Sequence, residues 1–118
     1  MSRMCLIVVL SLLVIASCAP KPRIRDLRTR SDIRNLEAAV HLFEDDCRRL
    51  PTNLTELVQR PQDASWRGPY LEAKGLDSTA LFRDQWGSDL RYMPQGTRFV
   101  IRSAGPDRTF NTDDDMTN

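Results

Sequence analysis

An apolar stripe constrains this chain more than any other feature. Ile33, Leu36, Val40, Phe43, Cys47 and Leu50 recur at spacings of three and four, the period at which side chains line one face of an α-helix. Ala39 and Leu42 widen the stripe. The pattern predicts one long helix over residues 25–49, about 40 Å in length at a rise of about 1.5 Å per residue, ended by Pro51. Its first half is polar and rich in arginine, so it is expected to project from the globular part. Cys47 lies on the stripe and is expected to be buried as a small hydrophobe. His41, the single histidine, falls off the stripe on a solvated position.

The elements after the helix are shorter. Asn53 reads as an N-cap with Glu56 as its returning partner, opening a short helix over 54–60 that turns Leu54, Leu57 and Val58 inward and stops at Pro61. Residues 61–75 read as loop with one turn, Trp66-Arg67-Gly68-Pro69-Tyr70-Leu71, whose aromatics would form a lid on the core. A brief strand or turn over 80–83 follows. Residues 89–93 and 98–102 are the best strand candidates, joined by a turn at Pro94-Gln95-Gly96-Thr97. Phe99 and Ile101 share one face of the second strand. The expected fold class is therefore α+β.

The N-terminus reads as an address. Arg3 is followed by an uncharged run from Cys5 to Ala19, shorter than the roughly 20 apolar residues that cross a hydrocarbon core and suited to a secretory signal. It ends in Ile15-Ala16-Ser17-Cys18, which resembles the bacterial lipobox. The expected organisation is a lipoprotein signal peptide over 1–17, a lipidated tether over 18–24 beginning at Cys18, and one domain over 25–118. The chain is expected in the bacterial envelope, held at a membrane and facing the periplasm. Removal of Cys5 and use of Cys18 leave Cys47 alone, so no internal disulfide framework forms.

Charge narrows the function classes. Lys and Arg number 17 against 16 Asp and Glu, and no global basicity argues for nucleic acid. Lys21, Arg23, Arg25, Arg28, Arg30 and Arg34 nevertheless crowd the start of the mature chain, opposed by Asp26 and Asp32. Such a segment beside a lipid anchor is attracted to anionic lipid; a solvated helix face explains it equally. No nucleophile–base pair is evident, and one histidine with one lone cysteine gives no catalytic constellation. In the tail, Asp107, Asp113, Asp114 and Asp115 fall within nine residues. Two readings stay open: a frayed acidic tail, or a loop closing around a hard cation. The absence of histidine and cysteine from the tail argues against zinc or copper.

Six blocks in order resemble the major pseudopilin of type II secretion (general secretion pathway protein G). Ser31-Asp32-Ile33 and Leu36-Glu37-Ala38-Ala39 resemble its long-helix segment. Asp46-Cys47-Arg48-Arg49-Leu50-Pro51-Thr52 is similar to its Asp-Asn-Gly-Arg-Tyr-Pro-Thr signature, and Leu57-Val58 fits the next short helix. Trp66-Arg67-Gly68-Pro69-Tyr70-Leu71 matches a recurrent block, and Asp84-Gln85-Trp86-Gly87 resembles Asp-Pro-Trp-Gly, with Tyr92 following. Ser103-Ala104-Gly105-Pro106-Asp107 and Thr112-Asp113-Asp114-Asp115-Met116 resemble the family's calcium loop. The resemblance implies a long helix packed on a small antiparallel sheet, a calcium-ordered C-terminal loop, no catalytic activity, and pseudopilins or other secretion-system proteins as partners. It implies calcium ligands from the side chains of Asp107, Asp114 and Asp115, beside Asp113, with backbone carbonyls near Ala104, Thr112 and Met116.

The departures are specific. The family's basic leader, its glycine–phenylalanine cleavage point, the early glutamate and the apolar helix of about twenty residues have no counterpart in the N-terminal sequence. Arg108 and Asn111 stand where glycine is common. Asn111 tolerates a left-handed backbone, whereas arginine there is strained. The alternative reading is a calcium-stabilised envelope lipoprotein that binds partners outside secretion.

Overall fold

The computed structural model describes residues 23–72 and 78–118; Cys18, the signal peptide over 1–17 and most of the tether lie outside them. Helix α1 spans Ile24–Cys47, about 36 Å. Thr29, Ile33, Leu36, Ala39, Val40 and Phe43 are its buried side chains, so the stripe predicts the face that packs. Two expectations fail at its margins. Leu42 is 54% exposed, because it lies on the side of the helix turned away from the sheet. The projecting part is shorter than half the helix, since packing already begins at Thr29.

The helix ends two residues before its predicted end. Arg48 takes a left-handed conformation (φ 58°) and its N–H donates to the Glu44 carbonyl at 2.8 Å, satisfying a terminal carbonyl and turning the chain toward Pro51. Cys47 therefore sits at the rim of the core, half-buried rather than buried. Burial, chiefly, and then the nearby Asp63 carboxylate push its thiol pKa up.

Residues 54–60 do not form an α-helix. Leu54–Leu57 is one 3₁₀ turn, and Asn53 makes no side-chain capping bond. The carboxylate of Glu56 is engaged elsewhere: it accepts from Thr52 N–H at 3.2 Å and from the Arg49 guanidinium at 2.9 Å. Leu54 and Leu57 are buried as expected, while Val58 is half-buried. The aromatic lid is present. The Trp66 indole N–H donates to the Glu56 carbonyl at 2.8 Å, and the Trp66 and Tyr70 rings meet edge to face at 5.7 Å. Tyr70 meets Phe43 the same way at 5.8 Å and donates its hydroxyl to Asp46 at 2.8 Å. Burial pushes the Tyr70 phenol up to about 12. The Gly68–Pro69 peptide is cis.

Ser78–Phe82 is a second 3₁₀ turn, the second of the two alternatives (brief strand or turn) expected over 80–83, and Arg83 pairs with Asp89 in an isolated antiparallel bridge. The sheet has three antiparallel strands in the order β1-β2-β3: β1 Arg91–Gln95, β2 Arg98–Ser103 and β3 Met116–Thr117. The hairpin is tighter than the four-residue turn predicted. Gln95 pairs with Arg98, leaving Gly96-Thr97 as the connection with Gly96 at φ 61°, a two-residue loop of the kind that follows strand twist. β1 consequently starts and ends two residues later than expected, at Arg91 and Gln95, while β2 runs one residue past its expected end, to Ser103. Ile101 is fully buried and Phe99 packs beside the core on the same face. Strand β3 has no counterpart in the sequence reading. Ser103 pairs with Met116 and Arg102 with Thr117; Met116 is buried, and Asn118 accepts from Ile101 N–H through its side chain at 2.8 Å. Helix α1 packs on β2, β3 and the first 3₁₀ turn.

Candidate metal-binding loop

Residues 104–115 connect β2 to β3, and the sheet fixes both ends. Ala104 is buried where β2 stops. Gly105 has φ 73°, and a Cβ on it would collide with the backbone carbonyl of Asp114, so the two limbs of the loop touch there. A turn follows, closed by Arg108 N–H donating to the Gly105 carbonyl at 3.1 Å. Arg108 (φ 56°) and Asn111 (φ 66°) are both left-handed. The backbone thus adopts at these positions the conformation that the glycine-for-residue comparison anticipated.

The two limbs are joined through carboxylates. Asp114 accepts from Asp107 N–H at 3.1 Å, and Asp115 accepts from Asn111 N–H at 2.8 Å. Thr112 stands between them. Its hydroxyl oxygen lies in short contact with Asp114 Oδ1, at 3.0 Å from the Thr109 carbonyl and at 3.4 Å from Asp115 Oδ1. A hydroxyl carries one proton, so three acceptor oxygens crowd a single donor. The hydrogen bond from Thr112, ahead of other contributions, holds the Asp114 carboxyl below the usual carboxylate range.

The predicted ligands do not all converge. Asp114 and Asp115 come together, and Thr112 joins them through its hydroxyl, whereas the Thr112 carbonyl expected as a ligand accepts from Asp115 N–H at 3.2 Å. Asp107 enters through its N–H, while its carboxylate folds back to accept from Thr109 N–H at 2.8 Å. Asp113 is exposed and makes no hydrogen bond or ion pair with another described residue. Ala104 and Met116 mark the two ends of the loop, both buried. Among the described residues no three acidic, histidine or cysteine side chains are grouped closely enough to hold a metal by themselves. The oxygen-rich pair Asp114–Asp115, with Thr112 and neighbouring carbonyls, suits a hard cation, which takes main-chain oxygens readily. Two arginines flank the loop: Arg91 lies over the Phe110 ring at 3.9 Å, and Arg102 donates to Asn111 Oδ1 at 3.3 Å.

One organising residue escaped the sequence reading. Asp84 is buried. Its Oδ1 accepts from Trp86 N–H at 3.0 Å and Ser88 N–H at 2.9 Å, and its Oδ2 accepts from the Ser103 hydroxyl at 2.8 Å. Ser103 Oγ in turn accepts from Gly105 N–H at 3.1 Å. Asp84 therefore ties the Asp-Gln-Trp-Gly turn to the first residues of the loop. The available signal was the Asp-x-x-Gly spacing of an aspartate-nucleated turn.

The comparisons with known proteins bear on the family and the fold. The family model for type II secretion system (T2SS), protein G, matches residues 23–118. The type II secretion system core protein G of Xanthomonas campestris pv. campestris is 33% identical over 81 residues, which is 66% of this chain and 52% of the relative. The chain thus spans about half the length of that curated protein. The crystal structure of the major pseudopilin from the type 2 secretion system of enterohaemorrhagic Escherichia coli superposes with a TM-score of 0.66 at 29% identity, covering 92% of this chain and 93% of that one. The helix laid on a three-stranded antiparallel sheet is the arrangement the resemblance implied, and the chain belongs to the family of type II secretion system protein G.

Proposed function

We propose that this chain is a non-enzymatic, pseudopilin-like component of type II protein secretion, anchored in the bacterial envelope as a lipoprotein through Cys18. The observation that carries the secretion role is the family match over residues 23–118, which takes in the helix, the sheet and the whole loop. Proteins of this system are envelope-associated, and no described helix is long and apolar enough to cross a membrane; the lipobox at Ile15-Ala16-Ser17-Cys18 supplies a means of attachment. Its partners are other secretion-system proteins.

The loop is proposed to take calcium. Asp114 and Asp115 would hold it, with Thr112, main-chain oxygens near Ala104 and Met116, and Asp107 after its carboxylate turns from Thr109. Calcium would neutralise the adjoining carboxylates. The crowding of three acceptor oxygens on the one Thr112 hydroxyl supports this reading. Secretion by a strain lacking the gene tests the role: export of the type II cargo should fall and return with the wild-type gene, and in-cell cross-links should join this chain to pseudopilins. Unchanged export and no such cross-link would remove it from the machine.

A further inference from the structure

The arginines at the start of α1 form a surface that the fold itself does not use. Arg23, Leu27, Arg30 and Arg34 follow one another at spacings of four, three and four, which places them on one side of the helix. That side is turned away from Thr29, Ile33, Leu36 and Val40, the residues that pack inward. All four are exposed, as are Arg25 and Arg28, which lie in the same turns but on other sides of the helix. None of the five arginines forms an ion pair with another described residue.

The two acids in this stretch do not compensate them. Asp32 accepts from the Gln85 side chain at 2.9 Å, and Asp26 has one carboxylate oxygen buried. Helix stability does not explain the charges either. Cations in a first helical turn oppose the macrodipole, and Arg23 stands at the N-cap without a capping bond. Apolar groups complete the surface: Ile24 is 68% exposed and Leu27 54%.

We propose that the first three turns of α1 lie along an anionic phospholipid surface. In this arrangement Arg23, Arg30 and Arg34 meet phosphates, and Ile24 and Leu27 enter the headgroup boundary. Guanidinium groups pair with phosphate through two parallel hydrogen bonds, and exposed apolar side chains among cations are the composition of interfacial helices. The sequence brings a membrane close, since the uncharged tract 5–19 ends four residues before Arg23. This holds whether acyl chains on Cys18 or the tract itself make the attachment. The inference therefore rests on envelope placement and not on a secretion role.

The orientation follows from distance. Arg23 and Arg34 are about 16 Å apart along the axis, twice the roughly 8 Å screening length at physiological salt. An upright helix would leave Arg34 beyond the reach of the surface. A helix lying flat engages it, and the domain, packed on the other side, does not obstruct.

The test reconstitutes the full chain in vesicles of phosphatidylcholine alone or with about 30% phosphatidylglycerol. Limited trypsin cleavage at Arg25 and Arg28 is then measured. Cleavage should be at least about tenfold slower on the anionic vesicles, and the protection should vanish in about 0.5 M sodium chloride. The triple variant Arg23→Gln, Arg30→Gln, Arg34→Gln should cleave equally fast on both, and Arg34→Gln alone should lose part of the protection. Flotation in high salt reads attachment separately. Equal cleavage of attached wild type on both vesicles overturns the proposal. So does protection that needs added secretion proteins instead of phosphatidylglycerol, which would assign the surface to an acidic protein. An Arg34→Gln variant protected like wild type overturns the flat orientation.

Discussion

Arginines occupy two backbone positions that favour glycine. Arg108 has φ 56° and Arg48 φ 58°, and Arg48 stands at the glycine of the Asp-Asn-Gly-Arg-Tyr-Pro-Thr signature it resembles. A left-handed backbone costs an L-residue roughly 1–2 kcal/mol, while glycine returns roughly 0.5–1 kcal/mol of that as extra entropy in the unfolded chain. Arg108→Gly is therefore expected to raise stability by about 0.5–1 kcal/mol in urea denaturation; a loss would mean that the Arg108 side chain contributes more than its backbone costs. Asp84 makes the opposite case. Asp84→Ala strands the Ser103 hydroxyl and two backbone N–H groups, at about 1–3 kcal/mol for each buried orphan. Because Ser88 is only half-buried and the Ser103 hydroxyl keeps its bond from Gly105 N–H, a total loss of about 3–5 kcal/mol is expected, with Asp84→Asn milder because its amide oxygen still accepts from the backbone donors. A loss below about 1 kcal/mol would show that the turn reorganises freely. Cys47 should react with thiol reagents more slowly than a free cysteine at neutral pH, since its raised pKa leaves little thiolate. Rapid labelling of folded protein would contradict that.

Among the elements, α1 was legible because its signal is long. Ile33, Leu36, Val40 and Phe43 repeat over several turns, and no local choice competes with them. The segment after Pro51 was not, because a side chain chose a different partner: Glu56 pairs with Arg49 and Thr52 instead of returning to Asn53. Strand β3 was hidden for another reason. Two residues carry no readable period, and Met116–Thr117 becomes a strand only because Ser103 and Arg102 offer it an edge. The acidic loop was legible as a candidate, yet the sequence could not show that Asp107 turns its carboxylate to Thr109. The loop is also where calcium is tested. Extracellular calcium modules bind at roughly 10⁻⁴–10⁻³ M, and a ligand at about 100 times its dissociation constant stabilises by roughly 2.7 kcal/mol. Chelation should lower the melting temperature and expose the Arg108 peptide bond to trypsin, and Asp114→Ala should remove both responses. The effect should be pH-dependent. The Asp114 carboxyl is depressed in the folded state, so its contribution is present above the unfolded value of about 3.9 and is lost as pH falls through the lower folded value. Calcium should therefore stabilise at neutral pH and not in acid below that window. Identical melting with calcium and with chelator at neutral pH would return the loop to a purely protein-held turn.

For the molecule as a whole, folding and placement are expected to be separable. Every buried side chain among the described residues lies at Thr29 or beyond, eleven residues after Cys18 by sequence number. The described residues close a core among themselves: α1 meets β2 and β3, Tyr92 donates to the Pro51 carbonyl at 2.8 Å, and Gln85 N–H reaches the Thr29 hydroxyl at 3.2 Å. A change at Cys18 should thus alter where the domain is held and leave its fold intact. Cys18→Ser is expected to abolish incorporation of labelled palmitate and to retain the precursor mass, while the melting temperature and the tryptic fragments of the domain stay those of wild type. If the secretion role also requires anchoring at that residue, export should fall in this variant as far as in the deletion strain, despite a folded domain at normal abundance. A variant that still takes up palmitate would place the acyl chains elsewhere. One that is processed and distributed as wild type would show that Cys18 is not the anchor, and the envelope attachment would then have to come from the uncharged tract over 5–19.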